Sequence, residues 1–280
     1  MRLLLISAGT VIFTLMILLM ARFYGLSQPY IPYDHEFLKA AKPWHVVKIH
    51  SAPEAQEVLN RNKDVIFWLD LSKTLDGHFL ILNPERKFQL TPELLKEKFR
   101  GDKNFDYDLK TLRLFYDKEP LLENFLTEFP GSRFILNVLD NAPEVHLTLI
   151  SEIKTHNAGN RVLIQSDIDL VLSSIKELEP LWLFGTSLSD IMKLNTFDSI
   201  GLAPTSPFHG DVFISPMKVM GRPAFTESVL NEIRRRLKPV VLGPLVSEQE
   251  IVDARSLKPD GYIYDNSRLF LKELDQHPAQ

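Results

Sequence analysis

No cysteine occurs anywhere in the chain, which excludes disulfides, thiolate catalysis and cysteine metal sites together. Nor is there a surplus of positive charge. The 32 Lys and Arg against 36 Asp and Glu leave a net charge of −4, without the basic face that nucleic-acid binding uses. Two further signatures are missing. No Gly-x-Gly-x-x-Gly turn follows a predicted strand, and no Gly-x-Ser-x-Gly elbow is present, so nucleotide-binding and serine-hydrolase readings lose their support.

What is present begins with a long apolar run. Leu3 to Ala21 carries no charge, and nineteen residues at about 1.5 Å each span roughly 28 Å, close to a bilayer core. The run exceeds the h-region of a signal peptide, no small-x-small cleavage site follows it, and without cysteine there is no lipobox. Residues 1–22 are therefore expected to form an uncleaved transmembrane anchor, inserted through residues 3–21. Arg2 and the terminal amine precede the run and Arg22 follows it, a slight bias toward a cytoplasmic N-terminus and an extracytoplasmic, periplasmic body. Residues 23–43, with Pro29, Pro32 and Pro43, read as a juxtamembrane linker whose Phe23, Tyr24, Tyr30 and Tyr33 could sit at the interface or pack on the domain.

From residue 44 onward strands and helices alternate. Predicted strands lie at Val46–His50, Val65–Leu71, Phe79–Asn83, Phe134–Val138, Arg161–Gln165, Leu181–Phe184, Ser199–Ala203, Val212–Ser215, Val240–Leu242 and Gly261–Tyr264. Helices are expected at Pro53–Asn62, Pro92–Phe99, from Glu119 to Phe129, Pro143–Thr155, from a Ser166-Asp167 cap to Leu178, Leu188–Leu194, Thr226–Leu237, Glu248–Ser256 and Arg268–Leu274, with a polar stretch at Gly101–Lys110. Repeated β-α units of this number imply a parallel sheet closed into a TIM-type (β/α)8 barrel over residues 44–280. An open doubly wound sheet is the alternative.

One stretch organises the rest. Val65, Phe67, Leu69 and Leu71 alternate with Ile66, Trp68 and Asp70, so one face is wholly apolar and the other ends in a carboxylate. A tight turn at Asp76-Gly77 and the short apolar run Phe79–Leu82 follow. The frame Trp68-Leu69-Asp70-Leu71, Thr74-Leu75-Asp76-Gly77, Asn83-Pro84 resembles the motif of the glycerophosphodiester phosphodiesterase family, Glu-Leu-Asp-Val, Thr-Lys-Asp-Gly, His-Asp. Glu119-Pro120-Leu121-Leu122-Glu123 and the closing Pro259-Asp260-Gly261-Tyr262-Ile263-Tyr264-Asp265 are similar to that family's helix start and last strand.

The resemblance implies a distorted eight-stranded barrel with the site where the strand C-termini converge. It also implies hydrolysis of phosphodiesters by carboxylate-held Mg²⁺ or Ca²⁺ and two histidines. Position by position, the first His falls on His50, the Glu and Asp of the strand on Trp68 and Asp70, and the second His on Asn83. The Glu and Lys after the third strand fall on Leu139 and Asn141, with Asp140 alongside. Trp68 and Leu139 offer no oxygen and are expected to fill the cation's place. Asp70 alone is too little charge for a hard cation, and Asn83 cannot titrate. A pseudoenzyme without a cofactor is therefore expected, with His50 and Asp70 as remnants and a phosphodiester or lipid head group as ligand. His50 would otherwise be satisfied by Ser51 or Asp70, and Asp70 by backbone amides, His50 or Lys73. The competing expectation is an active phosphoric diester hydrolase with a rearranged site, using His50, Asp70, His78 and Asp140. A third is an interaction protein using its outer helices. His209/Asp211, Asp34-His35-Glu36 and Asp167/Asp169 read as loop, linker and helix-start residues. Thr186-Ser187, Ser215 and Asp265-Asn266 stand at strand ends, where they could line a polar pocket.

Overall fold

The computed structural model describes residues 2–82 and 120–276; Asn83, the helix expected at Pro92–Phe99 and the polar stretch Gly101–Lys110 lie outside them. Helix α1, Arg2–Ser27, comes first and is long and apolar enough to cross a membrane. A short 3₁₀ turn at Glu36–Lys39 leads to strand β1, Trp44–Lys48, and helix α2, Ala52–Arg61. Strand β2, Ile66–Lys73, turns back through Gly77 at φ +88° into β3, Phe79–Ile81, its antiparallel partner. Beyond residue 120 come α3 (Leu122–Glu128), β4 (Arg133–Val138), α4 (Val145–Thr155), β5 (Val162–Gln165), α5 (Asp169–Leu178), β6 (Leu183–Phe184) and α6 (Leu188–Ser199). Then follow β7 (Phe213–Ser215), the hairpin β8–β9 (Lys218–Val219 and Arg222–Pro223), α7 (Glu227–Arg235), β10 (Val240–Leu245), α8 (Glu248–Ser256), β11 (Gly261–Tyr264) and α9 (Ser267–Gln276).

Among the described residues the sheet runs β6-β5-β4-β2-β1-β11-β10-β7, all neighbours parallel, with β3 added on β2. Its two ends meet. The Phe184 carbonyl accepts from the amides of Asp211 at 2.7 Å and Val212 at 3.1 Å. The Thr186 hydroxyl meanwhile donates to the Ile214 carbonyl and accepts from the Ile214 amide, both at 3.0 Å. The eight parallel strands thus form a TIM-type barrel with every strand N-terminus at one end, the base, and every C-terminus at the other, the mouth.

Alternation sorts the side chains. Val65, Phe67, Leu69 and Leu71 face the helices in the large outer core. Ile66 and Trp68 point into the barrel with Val46, Ile135, Leu163, Ile214, Val241 and Ile263, while Phe37 and Trp44 close the base. Phe37, wholly buried, therefore ties the segment between α1 and β1 to the barrel floor.

Two expectations are corrected. Ser199–Ala203 is no strand, because α6 continues through Ser199 and ends on Gly201 at φ +75°. The amides of Gly201 and Leu202 bond the carbonyls of Asp198 and Phe197, a Schellman closure that a non-glycine residue adopts at a cost. Nor does Ser166-Asp167 cap α5. The Ser166 hydroxyl donates to the Val138 carbonyl at 2.7 Å, stitching β5 to β4, and the helix starts at Asp169.

Candidate functional site

The mouth is built by the last inward positions of adjacent strands. On β1, Trp44, Val46 and Lys48 share a face; on β2, Ile66, Trp68 and Asp70; on β4, Ile135 and Asn137. Register places Lys48 beside Trp68, and Asp70 beside Asn137. Because both pairs are fixed by ladder hydrogen bonds, the side chains converge without any loop having to order.

Asp70 is the hub. Its Oδ1 accepts from the Trp68 indole Nε1 and the Asn137 Nδ2, each at 2.7 Å. Its Oδ2 lies 3.0 Å from Lys48 Nζ, which also stands 3.5 Å from Asp265 Oδ1 beyond β11. Asp167, after β5, faces the same hub; loss of surrounding water, then the Asp70 charge, push its carboxyl above the usual range. Gln165 reaches into the mouth from β5, its Nε2 donating to the Thr186 carbonyl at 3.0 Å while its Oε1 finds no partner. A Cβ on Gly185 would stand 1.8 Å from that oxygen, so only glycine leaves room for it.

The sequence-named residues fare differently. Asp70 is held by none of the partners expected of it: Lys73 donates instead to the Pro143 carbonyl, and Lys48 takes its place. Nor is His50 satisfied by Ser51 or Asp70; its Nδ1 lies 2.9 Å from the Leu82 carbonyl, and its amide donates to Glu54 Oε2. Trp68 is buried and acts as a donor as well as a filler. Leu139 does not fill a cavity, for it is 46% exposed on the rim. Asn141 is exposed too, and Asn83 lies outside the described residues.

No three of His50, Asp70, His78 and Asp140 gather as a metal-ligand group. The His78 amide bonds the Thr74 hydroxyl in the turn. Asp140 is buried, where desolvation raises its pKa against the opposing pull of Ser72 and of the Ala142 and Lys73 amides. Asp211 accepts from the Phe184 amide and pairs with Lys176 at 3.3 Å, a structural role. Among the described residues, no three His, Asp or Glu side chains converge as a metal-ligand group. Lys48 and Asn137 escaped the sequence reading. The signal was there in the alternation that puts Lys48 on the face of Val46 and Asn137 on that of Ile135.

Solved structures resemble this fold over most of the chain. A phosphodiesterase from Oleispira antarctica in complex with the product sn-glycerol-3-phosphate matches with TM-score 0.59 at 14% identity, covering 84% of this chain and 97% of that one. The glycerophosphodiester phosphodiesterase of Agrobacterium tumefaciens matches at TM-score 0.54 and 12% identity over 81% and 97% of the two chains. The fold is that of the glycerophosphodiester phosphodiesterases. A further glycerophosphoryl diester phosphodiesterase, from Parabacteroides distasonis, gives TM-score 0.56 at 14% identity over 86% and 89%. No protein-family model and no curated protein matches the sequence. The glycerophosphodiesterase scaffold is therefore present over most of the chain.

Proposed function

We propose that the chain is a membrane-anchored barrel on the glycerophosphodiesterase scaffold that binds a ligand or partner at its mouth without metal-dependent hydrolysis. The observation that carries this reading is the Lys48–Asp70 pair, 3.0 Å apart. A hard cation needs several free oxygen donors. Here the one acid at the resembling position has one oxygen engaged by an indole and an amide and the other by an ammonium. These residues do not suit Mg²⁺ or Ca²⁺. A protein ammonium supplies the positive charge here, though it cannot act as a Lewis acid with exchangeable water.

The scaffold alone does not decide function, since one fold hosts many activities. What supports binding is the polar floor left at the mouth: the Lys48 ammonium and the Asn137 amide. The anchor is α1, with the barrel on the extracytoplasmic side. Because the Oleispira neighbour holds sn-glycerol-3-phosphate, that compound and glycerophosphodiesters are the first probes.

The test is a phosphodiesterase assay of the detergent-solubilised full chain with Mg²⁺, Ca²⁺, Mn²⁺ and Zn²⁺, beside a thermal-shift titration with the same compounds. Stabilisation without turnover is expected, since a ligand of the native state raises its melting point. Metal-dependent turnover abolished by Asp70→Ala overturns the reading.

A further inference from the structure

We propose that the chain sits base-down on its membrane, with the N-terminal end of the barrel in the head-group layer and the mouth opening away into water. This placement rests on α1 being the anchor proposed above. It goes further by fixing which end of the barrel the bilayer meets.

The last turns of α1 are bonded to the base. Gly25 packs so closely on Pro204 that a Cβ there would stand 2.6 Å from its carbonyl carbon and oxygen. Arg22 donates to the Gly201 carbonyl. Arg235 caps the helix from α7, reaching the carbonyls of Gly25 at 3.1 Å, Leu26 at 3.3 Å and Gln28 at 3.5 Å. Its guanidinium and that of Arg236 also lie over the Tyr30 ring, 5.1 and 5.5 Å from its centre. Gly201 and Pro204 precede β7, Arg235 precedes β10, and all barrel strands are parallel, so the root of α1 belongs to the base.

Length then sets the depth. The uncharged run ends at Ala21, and Gly25 lies about 6 Å further along a helix rising 1.5 Å per residue. The head-group layer is roughly 5–7 Å thick on each side of the hydrocarbon. Gly201 and Pro204 therefore fall inside it, held by hydrogen bonds that keep the barrel from swinging round. The neighbouring surface suits that layer. Phe23 and Tyr24 are each 69% exposed, and on the base Ile31 is 89%, Leu181 78% and Ile200 59% exposed. A cleft of about 450 Å³ between the helix and the barrel, with Arg22, Leu26, Pro204 and Arg235 in its wall, opens at the same level.

The mouth carries exposed apolar residues too, among them Leu139, Met220 and Val246. They stand at the opposite end of the strands, roughly 20 Å away for a tilted strand of this length, and cannot reach the same bilayer while the root of α1 stays docked. A compound meeting Lys48 and Asp70 therefore arrives from water, as a soluble head-group compound and not as a lipid embedded in the anchoring leaflet.

The absence of native cysteine allows a direct test. The full chain is reconstituted in phosphatidylcholine vesicles with single labels at Ile31→Cys, Leu181→Cys or Ile200→Cys on the base, and at Leu139→Cys, Met220→Cys or Val246→Cys on the rim. A polarity-sensitive fluorophore reports each position against lipids carrying a nitroxide at head-group depth. Base labels are expected to lose most of their emission, and rim labels to keep theirs. Quenched rim labels with bright base labels overturn the placement. A chain that fails to float with vesicles overturns the anchor and the placement together, whereas one that floats with bright base labels overturns the placement alone. Ligand binding at the mouth is read separately by thermal shift, so its failure leaves the label pattern unchanged.

Discussion

Lys48 Nζ stands 3.0 Å from Asp70 Oδ2, two groups on neighbouring strands that are both nearly buried. A charge pair in that setting contributes through what its breakage leaves behind. Lys48→Met strands a carboxylate with only the Trp68 and Asn137 donors, and is expected to cost about 2–4 kcal/mol. Asp70→Asn relieves much of that loss, so the double variant should fall short of the sum by about 1–3 kcal/mol. Urea unfolding of the four proteins reads the coupling, and additive values would show that the pair is not coupled.

Trp68→Phe keeps the apolar bulk inside the barrel and removes the indole donor, 2.7 Å from Asp70 Oδ1. A hydrogen bond to a charged group contributes about 1.5–3 kcal/mol. With Lys48 and Asn137 still in place the loss should lie at the lower end of that range, and Trp68→Leu should lose more by opening a cavity. Equal stability of Trp68→Phe and the native chain would make the indole a filler only.

Glu152 on α4 is held protonated well above the ordinary carboxylate range: burial first, then the nearby Glu123 charge, push its pKa to about 8. A folded-state value above the unfolded one of about 4.3 means the folded chain binds the extra proton. Its contribution to stability is full below pH ~4 and is lost as pH rises through about 8. The melting point should therefore fall between pH 5 and pH 9, roughly the span set by those two values. Glu152→Gln should flatten that part of the profile, and an unchanged slope would remove Glu152 as its source.

Gly25→Val cannot be accommodated where a Cβ already meets the Pro204 backbone at 2.6 Å. The variant should detach the root of α1 from the base while leaving the barrel folded. Proteolysis between residues 28 and 43 should quicken, with no change in the barrel's own unfolding. Protection equal to the native chain would mean that Gly25 is not what seats the helix.

Much of the architecture was legible in the residues. The period-two run Val65–Leu71 already separated an outward face from an inward one, and both faces pack as that pattern requires. Ser199–Ala203 misled because a short apolar run fits strand and helix end alike. Its neighbour Gly201 settled the matter by taking a left-handed conformation that closes α6.

The sequence by itself determined the strand–helix alternation of the barrel and the apolar N-terminal helix, because periodicity and run length are local properties. Only the tertiary structure decided that Lys48 reaches Asp70, that Leu139 stands exposed, and that α1 roots at the base beside Pro204. Those relations join residues far apart along the chain or on separate strands. They depend on strand register and barrel closure, which set which side chains meet and which no local pattern encodes.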